Sequence, residues 1–363
     1  MAQFIKGMTL CEGFFFECAQ PIIRKYFPQL IYTAGLIGYG SDVLGYDDAV
    51  STDHMWGPRF YLFLRQEDLV LKARLFEVLG EHLPYTYRGY STNFTPPDPH
   101  DNGVRHPAPM TEGKVEPLIF VQTWESYLAE QLGTADIDGM DAAAWLALSE
   151  HRLLSLVSGR LFVDDLGCAR DIDKLREYPR EVRLYLIASS WEAIASEQAF
   201  VTRCGACGDE IGARIIAARM VERLMRLCFL YLGIYAPYSK WFGTAFSRLA
   251  VSEELKQTLE RVLRASCVEE REALLLRAQL LVVDLHNESG LGERVTCCPQ
   301  DYYGRKIRVI YAERLVEATL CAMKDSPLSH LPLIGSMSQA GGLSSFSDEP
   351  KNYPRIADLY ATR

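Results

Sequence analysis

Apolar residues recur every three or four positions between residues 9 and 27 (Leu10, Phe14, Cys18, Ile22, Ile23), the spacing of one helix face, and Pro28 marks the end of that helix. The run LIYTAGLIGYGS that follows is apolar almost without a break and enters a glycine turn, so it reads as a buried strand. PRFYLFL, residues 58–64, reads as the next strand, and QEDLVLKARLFEVLGEHLP as an amphipathic helix closed by Gly80 and Pro84. Residues 85–113 are rich in Pro, Gly, Asn and Asp and show no period; a loop of that length inside a domain is usually either functional or mobile. KVEPLIFVQT, residues 114–123, predicts a further strand, and WESYLAEQLG the start of a helix. From about residue 140 nearly every segment has helical spacing, and the run after Gly212 is apolar on more than one face, as expected of the central helix of a bundle. The Ser/Gly-rich and then polar end from Ile334 predicts a loosely packed extension. The pattern therefore predicts an α+β protein: a small α/β head with a mixed sheet at 1–135, a large all-helical bundle at 136–333 and a polar tail at 334–363.

Composition narrows the function classes more than the fold. With 363 residues, 48% hydrophobic and 23% charged, the chain has the length of two domains and the balance of a globular protein. Its net charge of −9 argues against nucleic acid as a partner, because broad capture of DNA or RNA needs a basic face that displaces counterions; only a local basic groove stays open. No run of about 18 apolar residues is present, and Glu12 and Glu17 interrupt the apolar N-terminal stretch, so neither a membrane partner nor a signal peptide is expected. The ten cysteines fall mostly within apolar helical patterns, which fits reduced, buried thiols in a cytoplasmic protein. Cys204-x-x-Cys207 with the adjacent pair Cys297-Cys298 makes a poor zinc set, since the second pair lacks the spacing.

The candidate chemistry lies in GYGSDVLGYDDAVSTDHMWGPR, residues 38–59. Nucleotidyl transfer requires a triphosphate to be held and developing charge to be neutralised, which two magnesium ions do when hard carboxylate oxygens converge on them. A Gly-Ser corner lets backbone N–H groups approach phosphates, and two acids at i and i+2 on one strand face the same side. Here Gly40-Ser41 is followed, after eleven residues, by Asp53-His54-Met55-Trp56. This resembles the Gly-Ser, Asp-x-acid pattern of the polymerase-β-like nucleotidyltransferase superfamily, with Met55 in the place of the second acid.

The longer string is similar to the hallmark of a family known as domain of unknown function 4037, whose members commonly read Gly-Ser-Glu-Val-Leu-Gly and then Ser-Thr-Asp-His-Asp-Trp-Gly-Pro-Arg. FVTRCGACGDEIGARIIAARMVERLMRLCFL, YAPYSKWFGTAFSRL, LHNESGL and LPLIGSMSQ resemble that family's helical body. The resemblance implies a nucleotidyltransferase-like head that takes a nucleoside triphosphate with Mg²⁺, and an acceptor that the sequence does not name. Carried over by position, Gly40 and Ser41 would meet phosphates and Asp53 would be the first metal ligand and catalytic acid. A thioether cannot replace a carboxylate on magnesium, so Met55 opposes two-metal catalysis unless Asp42, Asp47, Asp48 or the later Glu116 substitutes. Arg59 is a candidate phosphate ligand or a partner of Asp53. Lys240, with Arg219, Arg223 and Arg226 on one helix face, would form a basic wall, or else pair with acids such as Glu222 and Asp209. Two readings follow: a metal-dependent transferase of nucleoside monophosphate, or a degenerate nucleotide-binding or scaffolding relative.

Overall fold

A computed structural model describes residues 4–52, 55–340 and 347–360. It divides into two compact units, one of Met1–Gly139 with Arg152–Arg176 and one of Met140–His151 with Glu177–Arg363.

The first unit is built on four strands in the order β5-β2-β1-β6: β1 (Tyr32–Leu36), β2 (Arg59–Leu64), β5 (Leu118–Gln122) and β6 (Arg160–Asp164). β1 runs antiparallel to both β2 and β6, while β2 and β5 are parallel, so the sheet is mixed as predicted. Strand β2 alternates between two buried faces. Phe60, Leu62 and Leu64 meet Phe14, Phe15 and Ile23 of the N-terminal helical segment, which comprises α1 (Gly7–Phe14), a π-helical turn (Phe15–Ala19) and α2 (Gln20–Tyr26). Tyr61 and Phe63 meet Tyr127 on the other face, Tyr61 also meets Phe120 and Phe63 also meets Trp124. Those last contacts seat α4 (Trp124–Leu132), whose Thr123 side chain caps it by accepting from the Ser126 N–H. Helix α3 (Lys72–His82) packs against α2.

Two features depart from the sequence pattern. Strand β6 lies where helical spacing was expected; five residues of mixed polarity at a half-exposed sheet edge are too few to distinguish the two periods. It approaches β1 at Gly35, where a Cβ would stand 2.5 Å from the Arg160 carbonyl oxygen and 2.9 Å from Leu161 Cα, beside a break in register. The aperiodic segment 85–113 is an ordered lobe. Arg88 and Gly89, both with positive φ, turn the short hairpin of β3 (Thr86–Tyr87) and β4 (Tyr90–Ser91), and bridges Phe94↔Pro107 and Asp98↔Val104 close the rest. Asn93 ties it to the sheet, donating to the Ala108 carbonyl and accepting from the Glu116 N–H.

Helices α5 (Ala142–Ala147), α6 (Glu150–Val157) and α7 (Ala169–Lys174) surround β6 in sequence. The second unit continues with α8 (Arg180–Glu197), α9 (Phe200–Ala206), α10 (Glu210–Leu232), α11 (Ser239–Ser247), α12 (Glu253–Arg264), α13 (Val268–Ser289) and α14 (Glu313–Cys321). Helix α10 begins at the Asp209 cap, ends at Gly233 (φ 68°) and packs against α8, α9, α12 and α13, the central position its all-round apolar pattern predicts. Trp191 Nε1 donates to Tyr231 Oη (2.7 Å), Tyr231 Oη lies 3.0 Å from His286 Nδ1, and His286 Nε2 lies 2.8 Å from the Glu293 carbonyl, threading a polar chain through α8, α10 and α13. The described part of the tail is not loosely packed: Tyr353, Ile356 and Tyr360 are buried, and Tyr360 Oη donates to the Gly335 carbonyl (2.8 Å). Aromatic and aliphatic residues spaced along an otherwise polar segment supply that anchorage. Among the described residues no helix is long and apolar enough to cross a membrane.

Candidate functional site

Strand direction gathers the predicted residues of the head. β1 ends where β2 and β5 begin, so the turn at Gly40-Ser41, the loop leading to Arg59 and the residues entering β5 at Glu116 share one edge of the sheet. Gly40 has φ 124°, open to glycine and strained for any other residue. The chain then folds on itself: the Ser41 carbonyl accepts from Tyr46 N (2.8 Å) and Asp47 N (3.1 Å), and the Gly40 carbonyl from Leu44 N (3.3 Å). Among the described residues the N–H groups of Gly40, Ser41 and Asp42 donate no hydrogen bond, leaving three consecutive donors unspent. The Ser41 hydroxyl donates to the Ser51 carbonyl (3.3 Å). A cleft of about 600 Å³ runs beside the turn between Leu44, Gly45, Lys6 and Arg160, and an aromatic niche of about 290 Å³ lies at Thr52, Trp56 and Tyr90.

Beneath the turn sits a buried ion pair. Arg59 Nη2 donates to both Asp42 oxygens (2.8 and 3.0 Å) and to the Tyr39 carbonyl (3.0 Å), and the guanidinium stacks 4.6 Å from the Tyr39 ring centre. Burial, the largest single influence, works to lower the Arg59 pKa, but the Asp42 carboxylate together with Tyr39, Cys11 and Tyr61 outweighs it and holds the group above its ordinary value. Arg59 therefore pairs with Asp42 and not only with the phosphate or Asp53 that its position suggests. Its Nε and Nη1, with the Tyr39 and Tyr127 hydroxyls, lack hydrogen-bond partners among the described residues. Burial pushes the neighbouring Cys11 thiol up to about 12, aided by Asp42, so that thiol is inert at neutral pH. A Cβ on Gly40 would stand 2.1 Å from Asp42 Oδ1 and 2.5 Å from Arg59 Nη2. Gly40→Ala is accordingly expected to cost about 1–3 kcal/mol from positive φ and clash together, read as a lower melting temperature of the head.

The other acids near the turn are already engaged. Asp47 is buried and accepts from Gly7 N (2.6 Å) and Trp56 Nε1 (3.2 Å), with Lys6 Nζ 3.3 Å from its second oxygen. Asp48 accepts from the Val50 and Ser51 N–H groups, which hold its pKa below the ordinary value. Glu116 is exposed one residue before Pro117, and its backbone carbonyl accepts from Phe94 N and Arg105. Asp53 and His54 lie outside the described residues. Met55 has φ 50° in a bend before β2, so the alternation of an extended strand does not reach it. Magnesium requires hard oxygen donors, and among the described residues no group of three or more His, Cys, Asp or Glu could hold a metal ion.

In the second unit the anticipated basic wall is neutralised. Glu197 takes both Arg219 (2.7 Å) and Arg223, while Arg226 pairs with Glu222 (3.1 Å) and lies 3.4 Å from buried Glu150. Asp209 instead caps α10. Lys240 is exposed, its ammonium 5.0 Å from the Trp241 ring centre. Glu150, which no motif in the sequence singles out, lines a cleft of about 280 Å³ with His151, Arg226, Tyr238 and Asp348; burial raises its pKa above the ordinary value, with Arg226 opposing.

Residues 145–242 match the family described as a domain of unknown function (DUF4037). The match covers this segment alone, less than half of the chain. That segment runs from α5 into α11, so the DUF4037 match holds the body strings around α9, α10 and Lys240, and leaves the Gly40–Arg59 string outside it. The chain is also similar to a nucleotidyltransferase-like protein from Exiguobacterium sibiricum 255-15, at 14% identity and a TM-score of 0.34 over 85% of this chain and 89% of that one. No curated protein matches it.

Proposed function

We propose that the head is a nucleotidyltransferase-like unit that binds a nucleoside triphosphate and has lost two-metal turnover. The observation that carries this reading is the row of three N–H groups at Gly40, Ser41 and Asp42 that donate to none of the described residues, set at the sheet edge where β1 ends and β2 and β5 begin. Such a row suits phosphate oxygens, and glycine at position 40 removes the side chain that would obstruct them. Loss of turnover is supported by the acid inventory: Asp42 is spent on Arg59, Asp47 on Gly7, Trp56 and Lys6, and position 55 is a methionine.

The test is thermal stabilisation by each of the four ribonucleoside triphosphates, with and without Mg²⁺, beside a pyrophosphate-release assay. Binding is expected to stabilise the head by about 2.7 kcal/mol at a ligand concentration 100 times Kd, and to fall sharply in Gly40→Ala. No pyrophosphate should appear with the natural chain, and Met55→Asp should gain release. Release by the natural chain would instead establish the active transferase, and an absence of stabilisation by any nucleotide would remove the binding reading.

A further inference from the structure

The chain is acidic, yet residues 294–314 hold five cations (Arg294, Arg305, Lys306, Arg308, Arg314) against two acids (Asp301, Glu313). The structure gathers three of these cations on one exposed hairpin, β7 (Gln300–Asp301) and β8 (Arg308–Val309), within the second unit. At its tip Tyr303 is 75% exposed and held at φ 48°. Its ring lies 4.6 Å from that of Tyr302 and 6.3 Å from that of Tyr311, a second tyrosine with positive φ (53°). The hairpin secures this arrangement itself: Tyr303 N donates to Tyr311 Oη (3.3 Å), Tyr311 Oη donates to the Asp301 carbonyl (3.1 Å), and Tyr302 N donates to the Ile307 carbonyl (2.8 Å).

The charges beside the rings differ in availability. Arg308 is partly committed, donating to the Pro299 carbonyl and lying 3.6 Å from Asp301. Arg305 and Lys306 are exposed, and among the described residues no carboxylate lies within ion-pair distance of either. An aromatic face open to solvent, followed along the chain by two unspent cations, has a specific complement, a planar base followed along its strand by phosphates. A duplex offers no free base face to stack on.

We infer that the 300–309 hairpin binds single-stranded nucleic acid, with a base stacked on Tyr303 and the flanking phosphates on Arg305 and Lys306. The site is confined to a few nucleotides, which reconciles it with a chain whose overall charge repels polyanions. It rests on residues of the second unit alone and does not depend on the nucleotide-binding reading of the head.

Fluorescence anisotropy of the full chain with a labelled single-stranded 12-nucleotide RNA tests this. Affinity is expected to fall with salt, and R305E/K306E to flatten the slope of log K against log salt by about 1.4, the value for two phosphate contacts on a single strand. Tyr303→Ala should weaken binding roughly 5- to 100-fold and Tyr303→Phe should largely restore it. All three substitutions sit on exposed side chains, so unchanged melting temperatures would show that the fold is intact. The inference is overturned by absence of binding at low salt, by affinities that none of the variants moves, or by equal binding of duplex RNA. It is also overturned if phosphatidylserine vesicles bind with the same variant dependence and RNA does not, which would assign the hairpin to a membrane surface.

Discussion

Replacing Arg59 with alanine is expected to destabilise the head by about 3–5 kcal/mol, the cost of leaving a buried carboxylate without its counter-ion. Arg59 is 1% and Asp42 2% exposed, and one guanidinium nitrogen serves both Asp42 oxygens and the Tyr39 carbonyl, so neither water nor another cation can take its place cheaply. Asp42→Ala should cost a similar amount for the converse reason. The double variant Asp42→Leu/Arg59→Met removes both charges and should recover most of the loss, because a buried ion pair seldom outperforms well-packed apolar groups. Urea denaturation followed at Trp56 and Trp124, the two tryptophans of the first unit, measures all three. Single variants that lose under about 1 kcal/mol would show that the pair is not a strut for the turn. The double variant also separates two roles for Arg59. If the residue only supports Gly40-Ser41, nucleotide stabilisation survives with the restored fold; if it contacts phosphate itself, stability returns without nucleotide binding.

How far the sequence could be read depended on how local the information was. The strands β1, β2 and β5, the glycine corner and the central helix α10 were legible because each is encoded by its own period and its own punctuation. Strand β6 was not, since its place is decided by Gly35 opening room on β1 more than a hundred residues earlier. The same holds for the candidate site. Gly40 and Ser41 announce a turn by residue type alone, whereas the partner of Arg59 is a matter of packing: GPR at the entry to β2 suggests a phosphate or Asp53, and only the fold selects Asp42. The arginines of α10 share a helix face by spacing, but Glu197, which neutralises two of them, stands on α8. Tyr303 and the cations after it were visible as residues; their exposure depended on the hairpin.

The second large effect is expected in the bundle. Tyr231 Oη accepts from Trp191 Nε1, so its own proton points to His286 Nδ1, and His286 must carry its hydrogen on Nε2, where the Glu293 carbonyl receives it. Trp191, Tyr231 and His286 are buried, and each N–H and O–H in the line has its own acceptor, with the imidazole neutral. Trp191→Ala should cost about 3–5 kcal/mol through the cavity, with the lost hydrogen bond in addition. Tyr231→Phe keeps the packing but strands both a buried N–H and a buried ring nitrogen, at about 1–3 kcal/mol for each. Burial lowers the His286 pKa from its ordinary 6.5, against the opposing hydrogen bond to Glu293. A depressed folded value means that this residue's contribution is present above the ordinary pKa and is lost as pH falls through the folded one. The melting temperature of the second unit should therefore decline on acidification below about pH 6.5, and His286→Phe should flatten that part of the profile while lowering stability at neutral pH. A profile with the same slope in both proteins would place the acid sensitivity elsewhere and leave the imidazole with a packing role alone.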